Sequence, residues 1–189
     1  AFADVATLRH AEKAATLGVD GGILLCAGAG GNTGWMNPFA FVRAVREFYD
    51  GLIVLAGGIM DGESILAAKL LGADLVYMGT RFIATKESMA EDAYKKKLME
   101  TTMDGIMTTN EISGIPANFI RSTIEAVGLD PDNLPPYDEF NKGDFRKQRW
   151  KNIWSAGHGV GAVKEIVSVK YVLDQLHSEY TVAKSKNYN

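Results

Sequence analysis

Three short, continuously apolar segments constrain the fold of this chain more than any other feature of its sequence. They cover residues 22–26, 52–56 and 75–78, and none of them alternates polar with apolar residues. Runs of this length are typical of strands buried on both faces, as strands are in parallel sheets. The stretches between them have helical periodicity and end at glycines such as Gly18 and Gly72. The order strand, helix, strand therefore predicts an α/β fold around a parallel sheet.

Glycines concentrate where these predicted strands end. The chain has 20 glycines, and those at the strand exits are Gly28, Gly30, Gly31 and Gly34, then Gly57 and Gly58, then Gly79. Ligands of parallel α/β folds bind outside the carboxyl ends of the strands, where glycine lets a phosphate or planar ring approach backbone N–H groups. The pattern predicts a cradle for a phosphorylated cofactor. Because the dinucleotide fingerprint G-x-G-x-x-G is incomplete here, a mononucleotide phosphate fits better.

Composition excludes several other classes of protein. A formal net charge of −3 argues against nucleic acid as a partner, because neutralising phosphates needs a basic excess. Cys26 is the single cysteine, which excludes an internal disulfide framework, fits a reducing compartment and predicts a cytoplasmic protein. The apolar runs fall far short of the roughly 20 residues that a membrane span needs. No cluster of cysteines and histidines has the spacing of a metal site, so we expect no metal.

Five segments resemble the nitronate monooxygenase family, formerly called 2-nitropropane dioxygenases. They are Ala29-Gly30-Gly31-Asn32-Thr33-Gly34, Ala56-Gly57-Gly58-Ile59, Leu71-Gly72-Ala73-Asp74, Met78-Gly79-Thr80-Arg81-Phe82 and Trp154-Ser155-Ala156-Gly157-His158-Gly159-Val160-Gly161. The resemblance covers nearly the whole chain, in order. It implies a TIM barrel with a smaller, mostly helical domain, and FMN as the cofactor. It also implies oxidation of alkyl nitronates with O₂ to carbonyl compounds and nitrite.

The resemblance also implies which residues hold the cofactor. Glycines of the first loop (Gly28, Gly30 and Gly31) would lie along the flavin, and Gly57 and Gly58 would reach its phosphate. The phosphate site would be closed by Tyr77, Met78, Gly79 and Thr80, and the C-terminal segment would bring Ser155 and Gly157 to the cofactor.

One position departs from the family motif. Asn32 stands where the family normally has the histidine that removes a proton from the carbon beside the nitro group. An amide cannot hold that proton at physiological pH, although it can donate a hydrogen bond to a nitro or carbonyl oxygen. We therefore expect nitronates, which are already deprotonated, to be oxidised and neutral nitroalkanes to be poor substrates. His158, in the C-terminal glycine-rich segment, is a second candidate for a catalytic role.

Two other functions stay open at this stage. Flavin-dependent enoyl-acyl-carrier-protein reductases share the same barrel and motifs, so an NAD(P)H-dependent reductase is one alternative. The other is an FMN-binding protein whose catalysis is impaired because Asn32 replaces the histidine.

The length of the chain sets the expected domain organisation. A TIM barrel takes about 250 residues and eight strands, whereas this sequence shows three full strands and, at residues 1–5, the tail of a fourth. We expect residues 1–105 to be the C-terminal half of such a barrel and the chain, which starts at Ala1, to be the C-terminal portion of a longer one. Residues 106–150 are predicted as a helical and loop addition, with helix over 106–129, and residues 151–189 as a glycine-rich segment with a helix over 160–183. Apolar positions on that last helix are compatible with a homodimer and equally with core packing.

Overall fold

The fold combines a parallel sheet, its helices and a smaller antiparallel sheet. A computed structural model describes residues 1–142 and 144–186. The strands are β1 (Phe2–Val5), β2 (Gly21–Leu25), β3 (Gly31–Asn32), β4 (Leu52–Ala56), β5 (Leu75–Tyr77), β6 (Ile106–Thr109) and β7 (Ala117–Ile120). The helices are α1 (Leu8–Thr16), α2 (Pro38–Arg46), α3 (Gly62–Leu71), α4 (Thr80–Ile83), α5 (Asp92–Glu100), α6 (Arg121–Ala126), α7 (Tyr137–Lys142) and α8 (Val169–Ser185). Short 3₁₀ turns cover 103–105, 144–147 and 158–162.

The parallel sheet is the half barrel that the sequence predicts. Its strands lie in the order β1-β2-β4-β5 and all pair in parallel. Within the described residues both outer strands, β1 and β5, have one neighbour each, so the sheet has two open edges. Part of a TIM barrel has this form, because the complete barrel closes eight parallel strands on themselves.

One face of this sheet carries the main hydrophobic core. Val5, Leu24 and Leu55 point to the helices and pack in one cluster with Phe41 of α2 and other buried residues. On the opposite face Phe2, Leu52, Leu75 and Tyr77 are exposed. Burial on both faces is therefore found along most of β4 but is wrong for β5, because Leu75 and Tyr77 lie on the face away from the helices.

The helices between the strands begin and end at the residues that the sequence indicates. Asn37 caps α2 by accepting a hydrogen bond from the Phe39 amide at 2.9 Å, and Pro38 occupies its first turn. Asp61 caps α3 in a reciprocal capping box with Ser64. Gly72 ends α3 in the left-handed conformation, at φ 112°.

The predicted helix over 106–129 is wrong in its first half. Residues 106–109 and 117–120 are the antiparallel strands β6 and β7, and β7 also pairs with β3 beside the first glycine loop. The turn residues Asn110, Gly114 and Pro116 separate the two strands, and β-branched or aromatic residues lie on either side of the turn. Helix is present only in the second half, as α6. The addition at 106–150 therefore contains a β-hairpin as well as helices and loops.

Two other helix boundaries also differ from the sequence prediction. The sequence also predicts a helix from about residue 86 through Leu98, but in the structure this helix begins only at Asp92, as α5. The last helix starts at Val169, not 160, because Ser168 caps it by accepting a hydrogen bond from the Tyr171 amide at 3.1 Å. α8 packs against α3 so closely that a Cβ on Gly62 would lie 2.0 Å from the Tyr180 backbone nitrogen.

Candidate cofactor and substrate cavity

A cavity of about 290 Å³ lies at the carboxyl ends of the parallel strands. The strand-exit loops and the C-terminal segment line it together, and its lining residues are Asp4, Leu25, Gly28, Ala29, Gly30, Asn32, Ala56, Gly57, Gly58, Ile59, Tyr77, Met78, Gly79, Thr80, Arg81, Ile83, Ser155, Ala156, Gly157 and Gly159. This is the edge of the sheet at which α/β folds bind their ligands.

The structure brings most of the predicted site residues to this one cavity. The predicted residues on its lining are Gly28, Gly30, Asn32, Gly57, Gly58, Tyr77, Met78, Gly79, Thr80, Ser155 and Gly157. They come from four separate stretches of sequence, and the tertiary fold is what places them around a single space.

Close backbone packing joins the first loop to the C-terminal segment. A Cβ on Gly30 would lie 2.8 Å from the Gly157 nitrogen, and a Cβ on Gly157 would lie 2.6 Å from the Gly28 oxygen. The Thr80 hydroxyl oxygen accepts a hydrogen bond from the Gly157 amide at 2.9 Å. Gly30 and Gly157 are therefore required by packing between backbones, whatever else the cavity holds.

Other glycines on the lining border open space. A Cβ on Gly58 or Gly79 would meet no atom within 4 Å. Gly58 has φ 72°, which already favours glycine, but Gly79 has an ordinary φ of −113°. Neither packing nor backbone conformation therefore requires glycine at position 79.

Asn32 reaches the cavity from β3. Its strand pairs with β7, where Asn32 lies opposite Ala117, and its side chain is exposed to the cavity side of the loop. The amide therefore stands at the place where the motif has its histidine, with donor and acceptor groups but no group that titrates near neutral pH.

Two predicted residues do not line the cavity. Gly31, at φ 68°, pairs with Asn118 of β7. The His158 amide donates to the Gly28 oxygen at 3.0 Å, and its ring packs against Gly28, where an added Cβ would lie 2.9 Å from Nδ1. Gly31 thus joins the loop to β7, and His158 supports the loop from behind Gly28.

Comparison with known proteins assigns the family. The family model described as nitronate monooxygenase matches residues 1–179.

The chain belongs to the nitronate monooxygenase family.

Individual relatives share about a third of the aligned residues with this nitronate monooxygenase family member. It is 32% identical over 123 residues to a Mycobacterium tuberculosis dehydrogenase of (3aS,4S,5R,7aS)-5-hydroxy-7a-methyl-1-oxo-octahydro-1H-indene-4-carboxyl-CoA. The aligned residues make up 64% of this chain and 35% of that relative. It is 31% identical over 144 residues to nitronate monooxygenase from Paraburkholderia phytofirmans, covering 71% of the chain and 39% of the relative. The alignments thus span well under half of these relatives. By their names, both relatives are oxidoreductases.

A solved structure agrees with the fold over nearly the whole chain. FabK from Thermotoga maritima superimposes with a TM-score of 0.81 at 28% identity, covering 97% of this chain and 62% of FabK. In this family member, no helix among the described residues is long and apolar enough to cross a membrane.

Sequence reasoning missed Asp4 and Leu25, which also line the cavity in this nitronate monooxygenase family member. Side chains alternate between the two faces of a strand, so Phe2 and Asp4 lie on the same exposed face of β1. This two-residue period is the sequence signal that could have indicated Asp4. Asp4 is the one acidic side chain on the lining formed by the described residues.

Arg81, the one basic residue on that same described lining, has a structural role. Its guanidinium donates to the Met60 oxygen at 3.0 Å and to Gln175 of α8 at 2.8 Å. These bonds tie the strand-exit loops to the last helix, in agreement with the structural role that an arginine at a strand exit often has.

One buried and one partly buried group close to the cavity also show perturbed pKa values. Burial raises the pKa of the Cys26 thiol to about 12, so the thiol stays protonated and unreactive at neutral pH. The pKa of Tyr94 is raised as well. Burial raises it by more than the hydrogen bond that its hydroxyl donates to the Ser155 carbonyl lowers it. Tyr94 stacks on Trp154 with ring centroids 5.0 Å apart. The neutral phenol thus holds the Ser155 backbone in place at the cavity wall.

Proposed function

We propose that the cavity binds FMN. The observation that supports this most directly is the open space beside Gly58 and Gly79, which a Cβ would enter and which the chain itself leaves unfilled. Thr80 adds a hydroxyl donor there, since its oxygen already accepts from Gly157 and its hydrogen has no acceptor among the described residues. Backbone amides and a hydroxyl at a glycine-rich strand exit are the chemistry that recognises a phosphate.

Within this proposal, each part of the lining has a distinct role. Gly57, Gly58, Gly79 and Thr80 hold the phosphate, and Gly30 with Gly157 forms a flat backbone surface for the ring. The flavin, once bound, supplies the redox chemistry. The protein contributes binding, orientation of the substrate and hydrogen bonds to its polar atoms.

We further propose that the substrate is an alkyl nitronate, oxidised with O₂ to a carbonyl compound and nitrite. Asn32 carries this part of the proposal, because it lines the cavity at the position of the family histidine. Its side-chain N–H groups donate to the nitronate oxygens and orient the substrate, while no proton has to be removed from a nitronate. A small-molecule substrate and O₂ are the partners that this chemistry needs.

Spectroscopy and matched substrates test the proposal. We expect the purified chain to show flavin absorption bands, or to acquire them on titration with FMN. With FMN bound, we expect turnover of a nitronate to exceed that of its parent nitroalkane at about pH 7, because Asn32 offers no base. Asn32→His should raise turnover of the nitroalkane, with Asn110→His on the exposed hairpin turn as the matched control. A nitroalkane oxidised as fast as its nitronate by the unchanged chain contradicts the role of Asn32.

One alternative is an NAD(P)H-dependent reductase, because flavin-dependent enoyl-acyl-carrier-protein reductases share the same barrel and motifs. Anaerobic mixing of the FMN-loaded chain with NADH separates the two functions. Rapid bleaching of the flavin favours the reductase, whereas indifference to NADH favours the monooxygenase. FMN binding without either reaction leaves the third candidate, a binding protein whose catalysis is impaired by Asn32.

The homodimer and the cytoplasmic localisation stay predictions. Tyr171, Leu173 and Val182 on α8 are about half exposed, at 49%, 53% and 52%. Core packing therefore does not account for these positions, and a second copy of the chain is the partner we propose for them. Sedimentation velocity at increasing protein concentration measures whether that association occurs.

A further inference from the structure

Asn118 is a fully buried polar side chain outside the cavity lining, and the cofactor chemistry does not account for it. It lies on β7 with 0% exposure, between Ala117 and Phe119, which are also fully buried. A buried amide costs free energy unless its donors and acceptors are satisfied, so a position like this is normally apolar.

The hydrogen bonds of Asn118 point to the first glycine loop. Its Nδ2 donates to the backbone oxygen of Ala29 at 2.8 Å, and its Oδ1 accepts from the Thr108 hydroxyl. Because a carbonyl oxygen only accepts, the NH₂ end of the amide must face Ala29. The orientation of Asn118 is therefore fixed by chemistry.

β7 and the residue before it hold the loop at three more points. Gly31 pairs with Asn118 and Asn32 with Ala117 in the antiparallel ladder, and the Thr33 amide donates to the Pro116 oxygen at 3.0 Å. Ala29 and Asn32 both line the cavity. The loop that carries Asn32 is thus anchored to the hairpin from its beginning to its end.

We propose that Asn118 is a positioning residue, which sets where Asn32 presents its amide to the substrate. The claim that this matters for turnover rests on the function proposed above, whereas the claim that Asn118 orders the loop does not. Asn118 acts through the Ala29 carbonyl and the β3–β7 pairing, and it touches neither cofactor nor substrate.

Asn118→Asp is the sharpest test, since it replaces a donor with a group of nearly the same shape. An ionised carboxylate would face the Ala29 oxygen, acceptor against acceptor, at a site without solvent. A protonated carboxyl can donate to that oxygen again, so the defect should fade as the pH falls. At neutral pH we expect kcat for a nitronate to fall by about a hundredfold, the effect of a small misplacement, with KM changed much less.

A second readout follows the loop itself in the chain without FMN. Relative to the parent chain at the same pH, the Thr33 amide should exchange faster in Asn118→Asp at neutral pH, and this difference should shrink at lower pH, while exchange in β4 matches the parent at both pH values. Asn110→Asp makes the same chemical change at an exposed position of the same hairpin and should alter neither exchange nor kcat.

The outcomes separate the two proposals. If Asn118→Asp folds and behaves as Asn110→Asp in both readouts, the positioning role is overturned. If it fails to fold, Thr108→Val decides, because it removes the donor to Oδ1 and so loosens the amide that holds Ala29: faster Thr33 exchange supports the role, and unchanged exchange overturns it. If the parent chain binds no FMN, the proposed function fails, and the exchange measurement still decides whether Asn118 orders the loop.

Discussion

At the scale of single residues, the glycines of this chain serve two different purposes. Gly57 has φ 124°, and a Cβ there would lie 2.9 Å from the Cys26 oxygen, so the fold itself requires glycine. Gly79 has ordinary backbone geometry and borders open space, so the fold would accept a side chain. The sequence shows both only as glycine after a strand, and the structure distinguishes them.

Gly79→Ala tests the ligand directly. We expect the variant to keep the stability of the parent chain and to bind FMN at least about tenfold more weakly, a loss of ~1.4 kcal/mol, because the methyl group enters the space of the ligand. FMN titration followed by flavin fluorescence measures the affinity, and urea unfolding measures the stability. Gly161→Ala is the matched control, since a Cβ there also meets nothing within 4 Å and Gly161 does not line the cavity. Equal FMN affinity in the two variants would argue against cofactor binding beside Gly79.

At the scale of elements, caps decide where the helices of the half barrel begin. The Ser64 amide donates to the Asp61 carboxylate at 2.8 Å, and the Asp61 amide donates to the Ser64 hydroxyl at 3.0 Å. The Gly62 amide is satisfied separately by Glu179 of α8, at 3.0 Å. The start of α3 is thus fixed by its own sequence and then joined to the last helix.

Asp61→Ala should lower the free energy of unfolding by about 1 kcal/mol, the usual cost of losing a side-chain cap. Urea unfolding followed by circular dichroism measures the change. Glu12→Ala, at an exposed position of α1, is the control and should stay within about 0.5 kcal/mol of the parent. A similar loss in both variants would show that the cap is not the cause.

These capped helices were predictable from sequence, whereas the β6–β7 hairpin was not. Asn37-Pro38 and the pair Asp61 and Gly72 are local signals, which act on the backbone within a few residues. The strand state of residues 117–120 depends on pairing with β6 and also with β3, which is far away in sequence. Local periodicity carries no information about such a partner, and the apolar residues of this stretch fit a helix as well as a strand.

At the scale of the whole molecule, Arg46 and Asp74 join several elements at the end of the half barrel away from the cavity. Arg46 of α2 donates to the Gly72 oxygen after α3 at 2.8 Å and to the Gly51 oxygen before β4 at 2.7 Å. It also pairs with Asp74 at 2.5 Å, and Asp74 accepts from the Ile53 amide at 2.8 Å. Burial raises the pKa of the Asp74 carboxyl, but the Ile53 amide and Arg46 outweigh it, so the pKa lies below its ordinary value.

This lowered pKa predicts a pH-dependent contribution to stability. A carboxyl whose pKa is lower in the folded state stabilises the fold above its unfolded pKa of about 3.9, and the contribution is lost as the pH falls through the folded value. Asp74→Asn should therefore be less stable than the parent at about pH 7, and the difference should shrink at about pH 3. Urea unfolding at both pH values measures it, with Asp104→Asn at an exposed position as the control. A difference that stays constant with pH would contradict the role of the Asp74 charge.

The sequence by itself determined the parallel strands, the caps of α2 and α3, the loops that line the cavity and the family resemblance. These features are local, because apolar runs, capping residues and strand-exit glycines act through neighbouring backbone. Only the tertiary structure decided that Gly30 and Gly157 meet, that Asp4 reaches the cavity, and that His158 lies behind Gly28 instead. It also decided that Asn118 anchors the loop of Asn32 across 89 residues of sequence. Contacts of this kind depend on how distant segments pack, and a single sequence holds no direct record of that packing.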